Sequence, residues 1–168
     1  MTDRTQSQGA KRIGELLTEL GLVTPRQLEQ ALERQRSTGQ FLGVILLELG
    51  AITEQGLLEA ISRQFGMPHE PLDPARVDWA VAKQFPSSVL SEGKGFPIRA
   101  DARSVTVAIT NPLDVWTLSA MERAAGARPV QPVLVLEREL RMVVQEYQRR
   151  MLRTLQAHLN GETDGQTQ

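Results

Sequence analysis

Cysteine is absent from the 168 residues. That excludes disulfides, thiol catalysis and thiolate zinc sites. Aromatic residues make up only 4% of the chain, too few for the row of stacking rings that single-stranded nucleic acids require. The two histidines, His69 and His158, are far apart and lack metal-ligand spacing. No apolar run approaches the roughly 18 residues that a membrane span needs, and the opening residues lack the apolar segment of a signal peptide. A cytoplasmic chain with no membrane insertion is therefore expected. Charge of one sign is missing too: the net charge of −1 gives no electrostatic footprint for DNA or RNA, so no nucleic-acid partner is expected. A phosphate-binding loop is lacking, because Gly93-Lys94-Gly95 has no following hydroxyl. The carboxylate pairs Glu19 with Glu48 and Asp114 with Glu122 come without a nucleophile or metal cluster and read as solvated helix faces. No catalytic residue, metal site or enzymatic activity is expected.

What the chain does contain is a repeat. One fixed offset carries Gly14 onto Gly43, Leu17 onto Leu46, Glu19 onto Glu48, Leu20 onto Leu49 and Gly21 onto Gly50. The same offset carries Thr24 onto Thr53, Leu28 onto Leu57, Ala31 onto Ala60, Arg34 onto Arg63 and Gln35 onto Gln64. The aligned segments, Arg12 to Gln35 against Phe41 to Gln64, need no gap, and chance does not produce so many identities in so short a stretch. Each unit reads as two helices. Leu16, Leu17 and Leu20 share a face, and Gly21 suits a left-handed C-terminal cap. Thr24, Pro25 and Gln27 form the start of a second helix with a capping box. Leu28, Ala31, Leu32 and Gln35 then recur at helical spacing. The second unit repeats this, with Gly50 as stop and Thr53 as cap.

Leucines at helical spacing ordinarily form core, and Gly21 and Gly50 ordinarily form caps. Two features go further. Gly14 and Gly43 lie in the opening turn of an apolar helix, where glycine costs roughly 1 kcal/mol relative to alanine. A missing side chain there leaves backbone open to close approach by an anion or a flat base. Gln35 and Gln64 each sit on an apolar helix face, and their recurrence suggests a paired polar contact.

Arg12-Ile13-Gly14, Leu16-Leu17, Gly21-Leu22-Val23, Leu28, Leu32 and Gln35 match the pattern R-L-G, two aliphatics, G, two aliphatics, L, L, Q. Leu42-Gly43 through Gln64 match a second copy without the arginine. This resembles the MshEN-type domain at the N-terminus of type II secretion and type IV pilus assembly ATPases. The resemblance continues through Phe65-Gly66-Met67-Pro68, Gln84-Phe85-Pro86, Pro97-Ile98, Val105 to Ile109, Asn111-Pro112-Leu113-Asp114, Gly126, Pro132-Val133 and the helix through Tyr147, covering about residues 11 to 150. Ile13 stands for the usual leucine, Ala51 is smaller than usual, and Gly56 weakens the fourth helix. The resemblance implies a cyclic di-GMP receptor with no cofactor beyond that regulatory ligand. The implied ligand-binding residues are Arg12, Ile13, Gly14, Leu17, Leu28, Leu32 and Gln35, with Phe41, Leu42, Gly43, Leu46, Leu57, Ile61 and Gln64 from the second copy. Arg12 would contact guanine or phosphate, the glycines would admit the ligand to the backbone, the glutamines would hydrogen-bond it, and the leucines would pack against sugar and base. A protein partner is implied, a pilus or secretion ATPase or a signalling protein. The competing reading is a docking or adaptor domain that binds no nucleotide.

Past the repeat, Ser104 to Thr110 and Val130 to Leu136 read as strands. Asn111-Pro112 turns into a helix that runs to about Ala125 and is closed by Gly126. Glu137 to Leu159 reads as a long amphipathic helix. Its stripe of Leu140, Val143, Val144 and Tyr147 is extended by Met151, Leu152, Leu155 and Leu159, a candidate surface for a homodimer or a partner. The expected fold is α+β: two tandem helix-turn-helix motifs as a four-helix subdomain, packed on a small β-sheet with flanking helices. The expected divisions are a flexible N-terminus at 1–10, the tandem-motif subdomain at 11–68, an α/β subdomain at 69–150, and a helix extension with a disordered tail at 151–168.

Overall fold

The computed structural model describes residues 13–159. The chain divides into two compact units, Met1–His69 and Glu70–Gln168.

The first unit holds α1 (helical over 13–19), α2 (Pro25–Thr38), α3 (Leu42–Glu48) and α4 (Glu54–Phe65). The sequence repeat is also a backbone repeat. Gly21 and Gly50 adopt φ of 66° and 63°, the left-handed conformation that costs glycine no steric penalty. Leu22 and Ala51 each donate their N–H back to a helix carbonyl, of Leu17 and Leu46, at 2.9 Å in both copies. Thr24 and Thr53 then cap α2 and α4. At α2 the capping box is complete, with Gln27 accepting from the Thr24 N–H at 2.8 Å. Gly56 stands in the equivalent place on α4 and has no side chain to reciprocate. A Cβ on Gly56 would lie 3.3 Å from Ile52 and 3.5 Å from Leu22, so close packing accounts for this glycine.

The core of this unit is Leu17, Val23, Ala31, Leu42, Ile45, Leu46, Ile52 and Ala60. Leu17 and Leu46 occupy equivalent positions and are both 0% exposed. Burying each stabilises the unit by about 1.5–3 kcal/mol. An Arg34–Glu48 ion pair at 2.7 Å ties α2 to α3.

The second unit is built on a three-stranded sheet in the order β1 (Gly95–Ala100), β2 (Val105–Ile109), β3 (Val130–Leu134). β1 runs antiparallel to β2, and β2 runs parallel to β3. The parallel pair needs a crossover, which α7 (Val115–Ala125) supplies. The central strand is buried throughout. The prolines fall only on the edge strands, Pro97 on β1 and Pro132 on β3, where a missing N–H is tolerated. Short helices α5 (Trp79–Ala82) and α6 (Ser87–Ser91), a 3₁₀ turn at Pro74–Arg76, and the long α8 (Glu137–Leu159) complete the unit. Phe96 joins three elements edge to face. Its ring centroid lies 6.0 Å from that of Trp79 on α5 and 5.6 Å from that of Tyr147 on α8. Burial pushes the Tyr147 hydroxyl above its ordinary pKa.

The α+β class, β2, α7 and the full span of α8 agree with the sequence reading. β3 ends at Leu134, because Leu136 accepts from the N–H of Leu140 at 3.1 Å and so opens α8. Residues 93–95 read as a loop, yet Gly95 begins β1. A Cβ on Gly95 would meet Thr117 at 2.8 Å and Met121 at 3.2 Å. This glycine marks the close passage of α7 over the strand, a long-range contact that no local pattern announces.

Candidate functional site

The doubled motif places its marked residues at matching points of the two helix pairs. Gly14 lies on α1 and faces Leu28 on α2; a Cβ at Gly14 would come 2.9 Å from a Leu28 methyl. Gly43 lies on α3 and faces Leu57 on α4, with a corresponding distance of 3.0 Å. The two Gly–Leu pairs have the same separation along the chain. The space that each glycine leaves is therefore filled by a leucine tip, which is the physical reason for tolerating glycine there. A ligand reaching that backbone would have to displace the leucine.

The remaining expected residues sort by burial. Leu17, Leu42 and Leu46 are core and support the motif from behind. Ile13, Leu28, Leu32, Leu57 and Ile61 are half-buried and present apolar surface. Phe41 is 76% exposed. Arg12 lies outside the described residues.

Gln35 and Gln64 are half-buried near the ends of α2 and α4. The amide of Gln35 donates to the Gln40 carbonyl at 3.1 Å, in the short linker that leads into Phe41 and α3. Gln40 in turn donates to Glu48 at 3.4 Å, whose other oxygen holds Arg34. This Gln35–Gln40–Glu48–Arg34 chain of contacts was not legible beforehand. It joins the end of one helix to the end of the next, and it includes Glu48, which read from the sequence as a solvated helix-face carboxylate. In the second copy Arg63 pairs with Glu59 at 2.7 Å instead.

A surface groove of about 670 Å³ is lined by Glu15, Thr18, Glu19, Pro25, Leu28, Glu29, Leu32, Glu33 and Arg36. Among the described residues its lining carries four carboxylates and one guanidinium. Leu28 and Leu32, two of the expected ligand-binding residues, are part of its lining. Among the described residues no group of three or more acidic or histidine side chains is placed to hold a metal. No helix among them is long and apolar enough to cross a membrane.

A doubled helix-turn-helix unit followed by a small α/β unit defines the class of domain to which the chain belongs. The MshEN domain model matches residues 65–154, more than half of the chain, and the chain belongs to that family. The matched stretch covers the end of α4 and most of the α/β unit. The likeness to solved structures extends over the repeat as well. MshE solved with cyclic di-GMP aligns at a TM-score of 0.70 and 28% identity, covering 81% of this chain and 98% of that one. The N-terminal domain of XpsE shares the fold at a TM-score of 0.56 and 20% identity, covering 86% of this chain and 97% of that one. The type IV pilus assembly ATPase PilB of Thermus thermophilus is 33% identical over 120 residues, which is 70% of this chain and 14% of PilB. The chain thus spans about a seventh of that relative's length.

Proposed function

We propose that the chain is a cyclic di-GMP receptor module that has no catalytic activity of its own and relays ligand binding to a protein partner in a pilus, secretion or motility system. The single observation that carries this reading is the doubling. Two copies of one motif offer equivalent Gly–Leu pairs and equivalent glutamines on matching backbones, and cyclic di-GMP consists of two equivalent guanine–phosphate halves. The similarity to MshE with its cyclic di-GMP, over four-fifths of this chain, supports the same assignment.

In this reading Leu28 with Leu32 and Leu57 with Ile61 pack against sugar and base, and Gln35 and Gln64 hydrogen-bond one half each. Arg12 supplies charge to a single half. The working location is the cytoplasm, and the partner is a pilus or secretion ATPase or a signalling protein.

A cyclic dinucleotide presents both halves already ordered, whereas linear pGpG must be ordered on binding, and GTP or ATP fills one half at most. Calorimetric titration should therefore show one cyclic di-GMP per chain, bound at least ten-fold more tightly than pGpG, GTP or ATP. Equal affinity for GTP would defeat the proposal, and a flat titration with cyclic di-GMP would turn the reading to a docking domain.

A further inference from the structure

Arg34 and Arg63 occupy the same place in the two copies of the repeat, yet their partners differ. Arg63 turns back one helical turn to Glu59 on its own α4, at 2.7 Å. The residue one turn before Arg34 is Gln30, and its other neighbours at helical spacing, Ala31, Ser37 and Thr38, are uncharged too. No carboxylate at those positions competes for Arg34. It reaches out of α2 to Glu48 on α3, also at 2.7 Å. The repeated arginine thus stays within its copy at the end of the repeat and bridges the copies in the middle. Glu48 engages both oxygens, Oε2 with Arg34 and Oε1 with the side-chain amide of Gln40 at 3.4 Å. Gln40 belongs to the segment 36–40, which joins the copies and has no counterpart in the repeat. Its carbonyl accepts from the Gln35 side-chain nitrogen at 3.1 Å. That bond fixes which way the Gln35 amide points. The nitrogen faces the linker, and the oxygen is the atom left to accept from elsewhere.

Building on the cyclic di-GMP reading above, we propose that Arg34, Glu48 and Gln40 are positioning residues, which hold the second copy at a fixed spacing from the first and orient Gln35, so that the site prefers a cyclic dinucleotide to a linear one. None of the three has to touch the ligand. A cyclic dinucleotide carries its two bases on a closed ring, and the ring sets how far apart the halves of its receptor must lie. A receptor already held at that spacing loses little freedom on binding, whereas one whose halves drift must be ordered each time. Linear pGpG has free ends, adapts to either receptor and gains less from a fixed spacing. The bridge is exposed, with the Arg34 and Glu48 side chains at 43% and 40%, and an exposed ion pair typically shifts an equilibrium by at most about five-fold. Its role is therefore to tune selectivity on a unit whose core, from Leu17 to Ala60, is apolar.

The test titrates the full chain and its variants with cyclic di-GMP and with linear pGpG, and reads the ratio of the two dissociation constants. Arg34→Ala and Glu48→Ala should each weaken cyclic di-GMP about three- to five-fold and move pGpG by less than about two-fold, so that the ratio narrows. Arg63→Ala, at the equivalent place but with its ion pair inside α4, should leave the ratio unchanged. Exchanging the pair, Arg34→Glu together with Glu48→Arg, keeps an ion pair between α2 and α3, and the Gln40 amide can turn its oxygen to the new guanidinium. This double variant should recover the wild-type ratio, while either reversal alone should narrow it. Circular dichroism of each variant separates loss of binding from loss of fold. Three results overturn the inference while leaving the receptor reading intact: a wild-type ratio in folded Arg34→Ala and Glu48→Ala proteins, an exchanged pair no better than its single reversals, or a parallel loss of both ligands, which would make the pair a general support of the fold. Absence of cyclic di-GMP binding by the wild-type chain overturns both.

Discussion

At the scale of single residues, caps and glycines carry much of the local specification. Asp114 caps α7 by accepting from the Thr117 hydroxyl at 2.7 Å and from the Thr117 N–H at 3.0 Å. These two bonds, the hydroxyl first, hold its carboxyl below the ordinary carboxylate pKa. A carboxyl whose folded pKa is lowered stabilises the fold above its unfolded value of about 3.9, and that contribution is lost as pH falls through the lowered folded value. Asp114→Ala should therefore cost about 0.5–2 kcal/mol at pH 7. The gap between wild type and variant in urea unfolding should narrow below about pH 4, while Asp114→Asn should keep most of the cap and lose the pH dependence. A gap that stays constant from pH 7 to pH 3 would mean that the ionised carboxyl adds nothing to the cap. The turn glycines and threonine caps were legible because each is a local requirement of φ or of an orphan N–H. The cost of glycine at positions 14 and 43 was legible too. Its physical occasion, the tips of Leu28 and Leu57, was not, because it depends on how two helices approach.

At the scale of elements, repetition and periodicity made the four helices of the first unit readable, and alternation made β2 readable. α8 was readable over its full length from its amphipathic spacing. β1 and the short α5 and α6 were not. β1 contains a proline and a register shift between Pro97 and Arg99. α5 and α6, at Trp79–Ala82 and Ser87–Ser91, are too short for any helical period to show. α8 also separates into two parts. Through Tyr147 its apolar stripe is buried, and Arg150 lies 4.4 Å above the Trp79 ring. Beyond that point Met151, Leu152, Leu155 and Leu159 are exposed, Leu159 at 85%. A continuous apolar stripe in water favours being covered by another chain. The full chain should self-associate in sedimentation velocity, and deleting residues 151–168 should abolish this while leaving cooperative unfolding and cyclic di-GMP affinity intact. Unfolding of the shortened protein would instead make the extension part of the core.

At the scale of the whole molecule, a compact unit with a doubled motif is followed along the chain by a second unit that carries most of the family match. The proposed function rests on the first. The half-buried aliphatics, the two glutamines and the exposed Phe41 all belong to it. The most direct measurement follows the backbone amides of the folded chain by two-dimensional NMR while cyclic di-GMP is added. Resonances of both copies should shift together, Leu28 with Leu57, Leu32 with Ile61 and Gln35 with Gln64, and all should saturate at one equivalent of ligand. Shifts confined to a single copy, or centred on residues after His69, would contradict the doubled site.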